Sequence, residues 1–128
     1  MVDDEPDTRI FLLNLLKSRG FSPITAQNKA EGLQKADAEH PSVIILNVMM
    51  PGKDGIQLYQ RLKQDEALRD IPVILLSTLD EETFMKCHNI FAHRQWDAHE
   101  WLDRFMEKPI ETDEFLTAVR QLSGRKHS

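Results

Sequence analysis

Four places in the chain carry residues that could handle a phosphoryl group: Asp3 and Asp4, Asn47, Ser77, and Lys108 followed by Pro109. Mg²⁺ takes oxygen ligands, usually one or two carboxylates with several waters and a phosphate, so an acidic pair facing a lysine suits that chemistry. Catalysis at such a site is mostly positioning and charge neutralisation. Each residue alone has a plainer reading: Asp3 and Asp4 as solvated loop charges, Ser77 as a helix cap, Lys108 as a surface lysine at a turn. Their value as a set depends on whether one fold brings them to the same edge.

Residues 43–55, Val-Ile-Ile-Leu-Asn-Val-Met-Met-Pro-Gly-Lys-Asp-Gly, define such an edge. An apolar run of strand length, rich in β-branched residues, reaches Asn47 and then breaks at Pro51-Gly52 and Asp54-Gly55. It reads as a buried parallel strand delivering one polar side chain to the carboxyl edge of a sheet, where open α/β folds bind ligands. Asp4 precedes Asn47 by 43 positions, close to the length of two βα units.

The rest of the chain supplies the other elements. Pro6 suits the first turn of a helix whose Ile10, Leu13 and Leu16 recur on one face before Gly20 ends it. Residues 21–26 read as a short strand, and Asn28 with Glu31 as a capping box opening a second helix through Leu33 and Ala36 to Glu39. The central strand spans 42–49, and a third helix starts near Ile56 and carries Tyr59 and Leu62. Residues 71–78 form another buried strand with Pro72 at its start, and 78–81 a capping box for a fourth helix with Phe84, Cys87 and Phe91 at helical spacing. The last strand is 104–107, and the last helix carries Phe115, Val119 and Leu122 on one side. Five strand signals alternating with five helix signals predict an α/β fold, a doubly wound five-stranded parallel sheet with five helices.

Two irregularities stand out. Only two residues precede the acidic pair, where a strand of ordinary length needs about five. The first strand is therefore unusually short, which points to a shortened chain, a late start, or a compensating contact from elsewhere. Ser77 and Lys108 are 31 positions apart, whereas one helix and two short loops use roughly 20. An extra segment before the last strand is expected at 93–102, and Trp96 and Trp101 fall in it.

Taken together, the strand of residues 43–47, the Met-Pro and Asp-Gly spacing after it, the acidic pair and Lys108-Pro109 resemble the receiver domain of two-component response regulators, a flavodoxin-like fold. The resemblance covers residues 1–123, leaving 124–128 as a basic tail, and departs from the family at one position: Asn47 stands where the phosphate-accepting aspartate is expected. It implies that Asp3 and Asp4 bind Mg²⁺ with Asn47 and the backbone carbonyl of Met49. Ser77 would sense the phosphoryl group, Lys108 would ion-pair with it, and Phe105 would be the switch aromatic. A neutral amide lacks the nucleophilic oxygen and cannot form an acyl phosphate at a useful rate. With Asn47, the site also loses one of two net negative charges, which predicts a more stable metal-free domain and weaker Mg²⁺ binding.

The expected function is a degenerate receiver acting by protein–protein interaction with a sensor kinase or output protein, with weak homodimerisation through the last helices. The rival reading is an ordinary phosphorylated receiver carrying an introduced Asp-to-Asn change. A receiver using Ser77 as acceptor and a flavodoxin-like enzyme are further alternatives, the latter without a cofactor signature.

Totals exclude other classes. With 128 residues the chain fits one domain. A net charge of -5 and the absence of a Lys/Arg cluster beyond the tail argue against direct nucleic-acid binding. No apolar run approaches a membrane span, and the chain reads as cytoplasmic. The single cysteine, Cys87, excludes an intrachain disulfide. Cys87, His88, His93 and His99 match no closed zinc pattern, and no Ser-His-Asp order or glycine-rich phosphate loop is present, so an enzyme is not expected.

Overall fold

A computed structural model describes residues 1–48, 54–80, 82–83 and 104–124. Its elements are α1 (Pro6–Ser18), α2 (Lys29–Glu39), β1 (Ile44–Asn47), α3 (Asp54–Gln64), β2 (Val73–Ser77), β3 (Arg104–Glu107) and α4 (Thr112–Leu122). The strands form a parallel sheet in the order β1-β2-β3, pairing Ile45 with Ile74 and Leu75 with Phe105. Every residue of β1 and β2 is buried, as expected of parallel strands covered on both faces.

Beyond β1 the sheet continues as single bridges: Val2 pairs in parallel with both Leu46 and Ala26. Val2 donates to the Ile45 carbonyl at 2.7 Å and accepts from Asn47 at 2.9 Å, while Asp3 donates to Ala26 at 3.0 Å. Among the described residues, the expected five-stranded sheet is therefore seen as three strands and two single-residue positions. Residues 21–26, read as a strand, bridge only at Ala26, because Val2 is the only residue of its neighbour that forms a bridge with them.

Two apolar clusters lie on opposite faces of this sheet. One joins Leu46, Val73 and Leu75 to Ala36 of α2 and to Leu58, Tyr59 and Leu62 of α3. The other joins Ile45, Ile74 and Leu76 to Leu12 and Leu16 of α1 and to Phe115 and Val119 of α4. The expected stripe of α1 is corrected by this packing: Leu12 and Leu16, one turn apart, are buried, while Ile10 is 55 % exposed. Two positions before Leu12, Ile10 points to the far side of the helix.

Local signals explain most helix ends. Pro6 opens α1, and Gly20, at φ 88°, follows its end. The Asn28 side chain accepts from Glu31 N–H at 2.9 Å, and the Glu111 carboxylate caps α4 by accepting from Asp113 and Glu114. α3 begins two positions earlier than expected, at Asp54. The helix expected after β2 falls largely outside the described residues, with Phe84, Cys87 and Phe91. The capping box expected at 78–81 includes Glu81, which lies outside the described residues; within them, the Asp80 carboxylate accepts from Thr83 N–H at 2.7 Å. Trp96, Trp101, Met49, His88, His93, His99 and the tail at 125–128 also lie outside the described residues.

Candidate functional site

Parallel strands end at the same edge of a sheet, so the residues terminating them are neighbours whatever their separation in sequence. Asn47 ends β1, Ser77 ends β2, and Lys108 follows β3 directly. Val2 places Asp3 beside them by lying next to Leu46. The edge is tied together by the main chain, since Lys108 N–H donates to the Ser77 carbonyl at 2.7 Å. The Lys108–Pro109 peptide is cis.

Asn47 is the hub. Its amide nitrogen donates to Asp3 Oδ1 at 3.1 Å and to Asp4 Oδ1 at 3.3 Å. Asp3 is 1 % exposed and Asn47 7 %, so these are buried or half-buried contacts in which a charge-assisted hydrogen bond contributes more than it would in water. Asp3 Oδ1 also accepts from Glu5 N–H at 2.9 Å. Its second oxygen, Oδ2, is buried without a hydrogen-bond partner among the described residues and faces Lys108 Nζ at 3.6 Å. That separation is an ion pair rather than a hydrogen bond.

Ser77 is fully buried, and its hydroxyl oxygen accepts from Leu79 N–H at 2.9 Å, which turns the chain after β2. Phe105 is half-buried on β3 against the cluster that contains Leu75. Thus Asp3, Asp4, Asn47, Ser77 and Lys108 are gathered at one edge, and Phe105 lies one strand position away from the Met106–Leu76 pair.

Two contributors were missed in the sequence. Arg9 donates to the Asp3 carbonyl at 2.7 Å, locking the loop over the edge from the first turn of α1. Its position, six residues after Asp3, is the only signal for it. Gly55 lets α3 start against β1: a Cβ there would lie 2.6 Å from the Asn47 carbonyl oxygen and from Val48 Cα. The glycine in the Asp-Gly pair is thus a packing requirement, a role that turn propensity does not reveal.

Residues 1–120 match the family described as response regulator receiver domain. The chain belongs to that family. This receiver is 28 % identical over 119 residues to Protein PilH of Pseudomonas aeruginosa, covering 93 % of this chain and 91 % of that protein. It is 27 % identical over 125 residues to the phosphate regulon transcriptional regulatory protein PhoB of Escherichia coli, but spans only 51 % of that protein's length. Among solved structures, it matches the signal receiver domain of a signal transduction histidine kinase from Syntrophus aciditrophicus with TM-score 0.78 and 29 % identity, covering 99 % of this chain and 90 % of that one. The receiver domain of the Francisella response regulator 1452 gives TM-score 0.78 at 27 % identity, covering 98 % and 95 %. The flavodoxin-like receiver fold and membership of two-component signalling follow, and receivers are in general non-enzymatic signalling modules.

Receivers of this family generally bind Mg²⁺. The residues present fit such an ion in part: Asp3 Oδ2 is an orphaned buried acceptor, and Asp4 is exposed beside it. Asp3 and Asp4 would hold the ion, which would supply positive charge toward an incoming phosphoryl oxygen. Among the described residues, no helix is long and apolar enough to cross a membrane.

Proposed function

We propose that this receiver is a protein-interaction module of two-component phosphorelay signalling, with position 47 outside phosphoryl control. One observation carries the reading: the residue at the end of β1, at the centre of the acidic edge, is an amide that donates to both Asp3 and Asp4. Its N–H groups stand in for part of the positive charge that a divalent ion would bring, so the metal-free edge is already neutralised in part. Mg²⁺ binding is weakened, because an ion between the carboxylates displaces two hydrogen bonds and must turn the amide oxygen inward. The amide has no nucleophilic carboxylate oxygen, so no acyl phosphate forms there.

A receiver is ordinarily a two-state element biased by phosphorylation. Here a partner, a sensor kinase or an output protein, sets the populations by binding one state better than the other. Weak self-association belongs to the same reading. The retention of Asp3, Asp4, Ser77 and Lys108 around Asn47 favours a second reading, a phosphorylatable receiver with an introduced amide.

The deciding measurement compares the chain with Asn47→Asp for Mg²⁺-dependent binding of beryllofluoride, followed by amide NMR. Binding by Asn47→Asp alone is expected. Equal binding by both would show that position 47 does not control the pocket. Binding by neither, with both folded, would remove the phosphoryl-site reading altogether.

A further inference from the structure

The two acidic residues of the carboxyl edge are held in different ways. Val2 N–H donates to the Ile45 carbonyl, the Val2 carbonyl accepts from Asn47, and Asp3 N–H donates to Ala26. The sheet therefore fixes the main chain as far as the Asp3 N–H. The Asp3 carbonyl lies past the last bridge, and Arg9 donates to it at 2.7 Å. That oxygen belongs to the peptide joining Asp3 to Asp4.

Arg9 follows Asp3, Asp4, Glu5 and Asp7 within six positions, yet among the described residues it pairs with none of these carboxylates. Its guanidinium reaches the main chain instead. A cation in the first turn of a helix opposes the helix dipole, so α1 by itself does not call for one there. Arg9 stands three positions before Leu12 and seven before Leu16, in line with the side of α1 that packs against the sheet. The guanidinium is thus carried by a helix anchored in the core.

The Asp3 carboxylate is buried among Asn47, the Glu5 N–H and Lys108. Asp4 is exposed, and its carboxylate has one contact among the described residues, the Asn47 amide at 3.3 Å. The peptide after Asp4 is tied back by the bond from Glu5 N–H to Asp3 Oδ1. The freedom left is rotation of the Asp3–Asp4 peptide, which would swing Asp4 away from its neighbour. We propose that Arg9 is a positioning residue for Asp4: by fixing that peptide it keeps the Asp4 carboxylate beside Asp3, where the pair can share a cation or the Asn47 amide. A guanidinium acting through charge alone would do the reverse and compete with a bound metal. The two roles predict opposite signs.

The test compares the unaltered chain with Arg9→Met, which keeps an apolar stem, and Arg9→Lys, which keeps a cationic donor. Backbone order parameters of Asp3 and Asp4 are measured without metal, Mg²⁺ affinity is measured by titration, and the thermal midpoint confirms folding. In Arg9→Met the Asp4 amide is expected to fall from about 0.85 toward about 0.6, while Asp3, tied to Ala26, stays unchanged. Mg²⁺ binding is expected to weaken by about tenfold, as when a group that orients a metal ligand is lost. Arg9→Lys should recover both in large part. An Asp4 amide that stays rigid in Arg9→Met, equal loosening of Asp3 and Asp4, or Mg²⁺ bound as tightly or more tightly overturns the positioning role. Only the titration rests on the metal reading of this edge: if the unaltered chain takes up no Mg²⁺, that reading falls and the Asp4 amide alone decides.

Discussion

The two edges of this sheet are built from the same few residues and end in opposite conditions. At the carboxyl edge, Asp3 and Asp4 meet the Asn47 amide, Lys108 and the amide of Glu5, and a buried polar cluster is nearly complete within the protein. At the amino edge, Met1 and Val2 each join one neighbouring segment by two hydrogen bonds and leave a cavity of about 580 Å³ behind them. Position in the sheet is thus secured by very little: one bridged residue is enough to aim two carboxylates. Filling the sheet takes a whole strand.

This contrast can be broken from either side. The largest effect is expected at Gly55, whose added Cβ would meet backbone atoms 2.6 Å away. Gly55→Ala should lose about 3 kcal/mol or more in urea unfolding, since backbone cannot give way as a side chain does. A loss under 1 kcal/mol would mean that α3 slides freely past β1 and that the carboxyl edge is not rigid.

Lys108→Met comes next. It leaves Asp3 Oδ2 buried without its counter-charge, and should cost roughly 2 kcal/mol, less than a fully enclosed pair because Lys108 keeps contact with solvent. Comparing Lys108→Met in the presence and absence of Mg²⁺ sharpens the result. If millimolar Mg²⁺ restores part of the loss, the orphaned oxygen accepts a cation.

The smallest effect belongs to the amino edge. Because the Met1 amine has a folded-state pKa of about 6 against 8.0 when free, the unfolded chain holds more protons between those values. Stability should therefore be full above pH 8 and fall as the pH drops toward 6, by at most roughly 2 kcal/mol. Acetylation of Met1 should flatten that slope. An unchanged slope would show that the amine is solvated and that the amino edge is less enclosed than its geometry indicates.

Much of the carboxyl edge was legible because its signals are local. A β-branched run reaching Asn47, a second ending at Ser77, and Lys108-Pro109 after a third each mark a strand terminus, and parallel pairing does the rest. Arg9 and Gly55 were not legible: one acts through a backbone carbonyl and the other through the absence of a Cβ, and neither leaves a compositional trace. On α1 the stripe was placed on Ile10, Leu13 and Leu16 because several apolar residues crowd one helix. Only packing against Phe115 and Val119 selects Leu12 and Leu16. The shortness of the first strand was visible from two residues before Asp3; the void it leaves needed the walls.

The sheet divides the apolar interior into two clusters, and the cavity at its amino edge is a breach in that partition, touched by Leu58 on one side and Val119 on the other. The strands that contribute to both clusters, β1 and β2, join the two halves beside it. Melting should accordingly start at the breach and spread to α1 and α2 before β2 opens, giving a broader transition than a sealed domain of equal size.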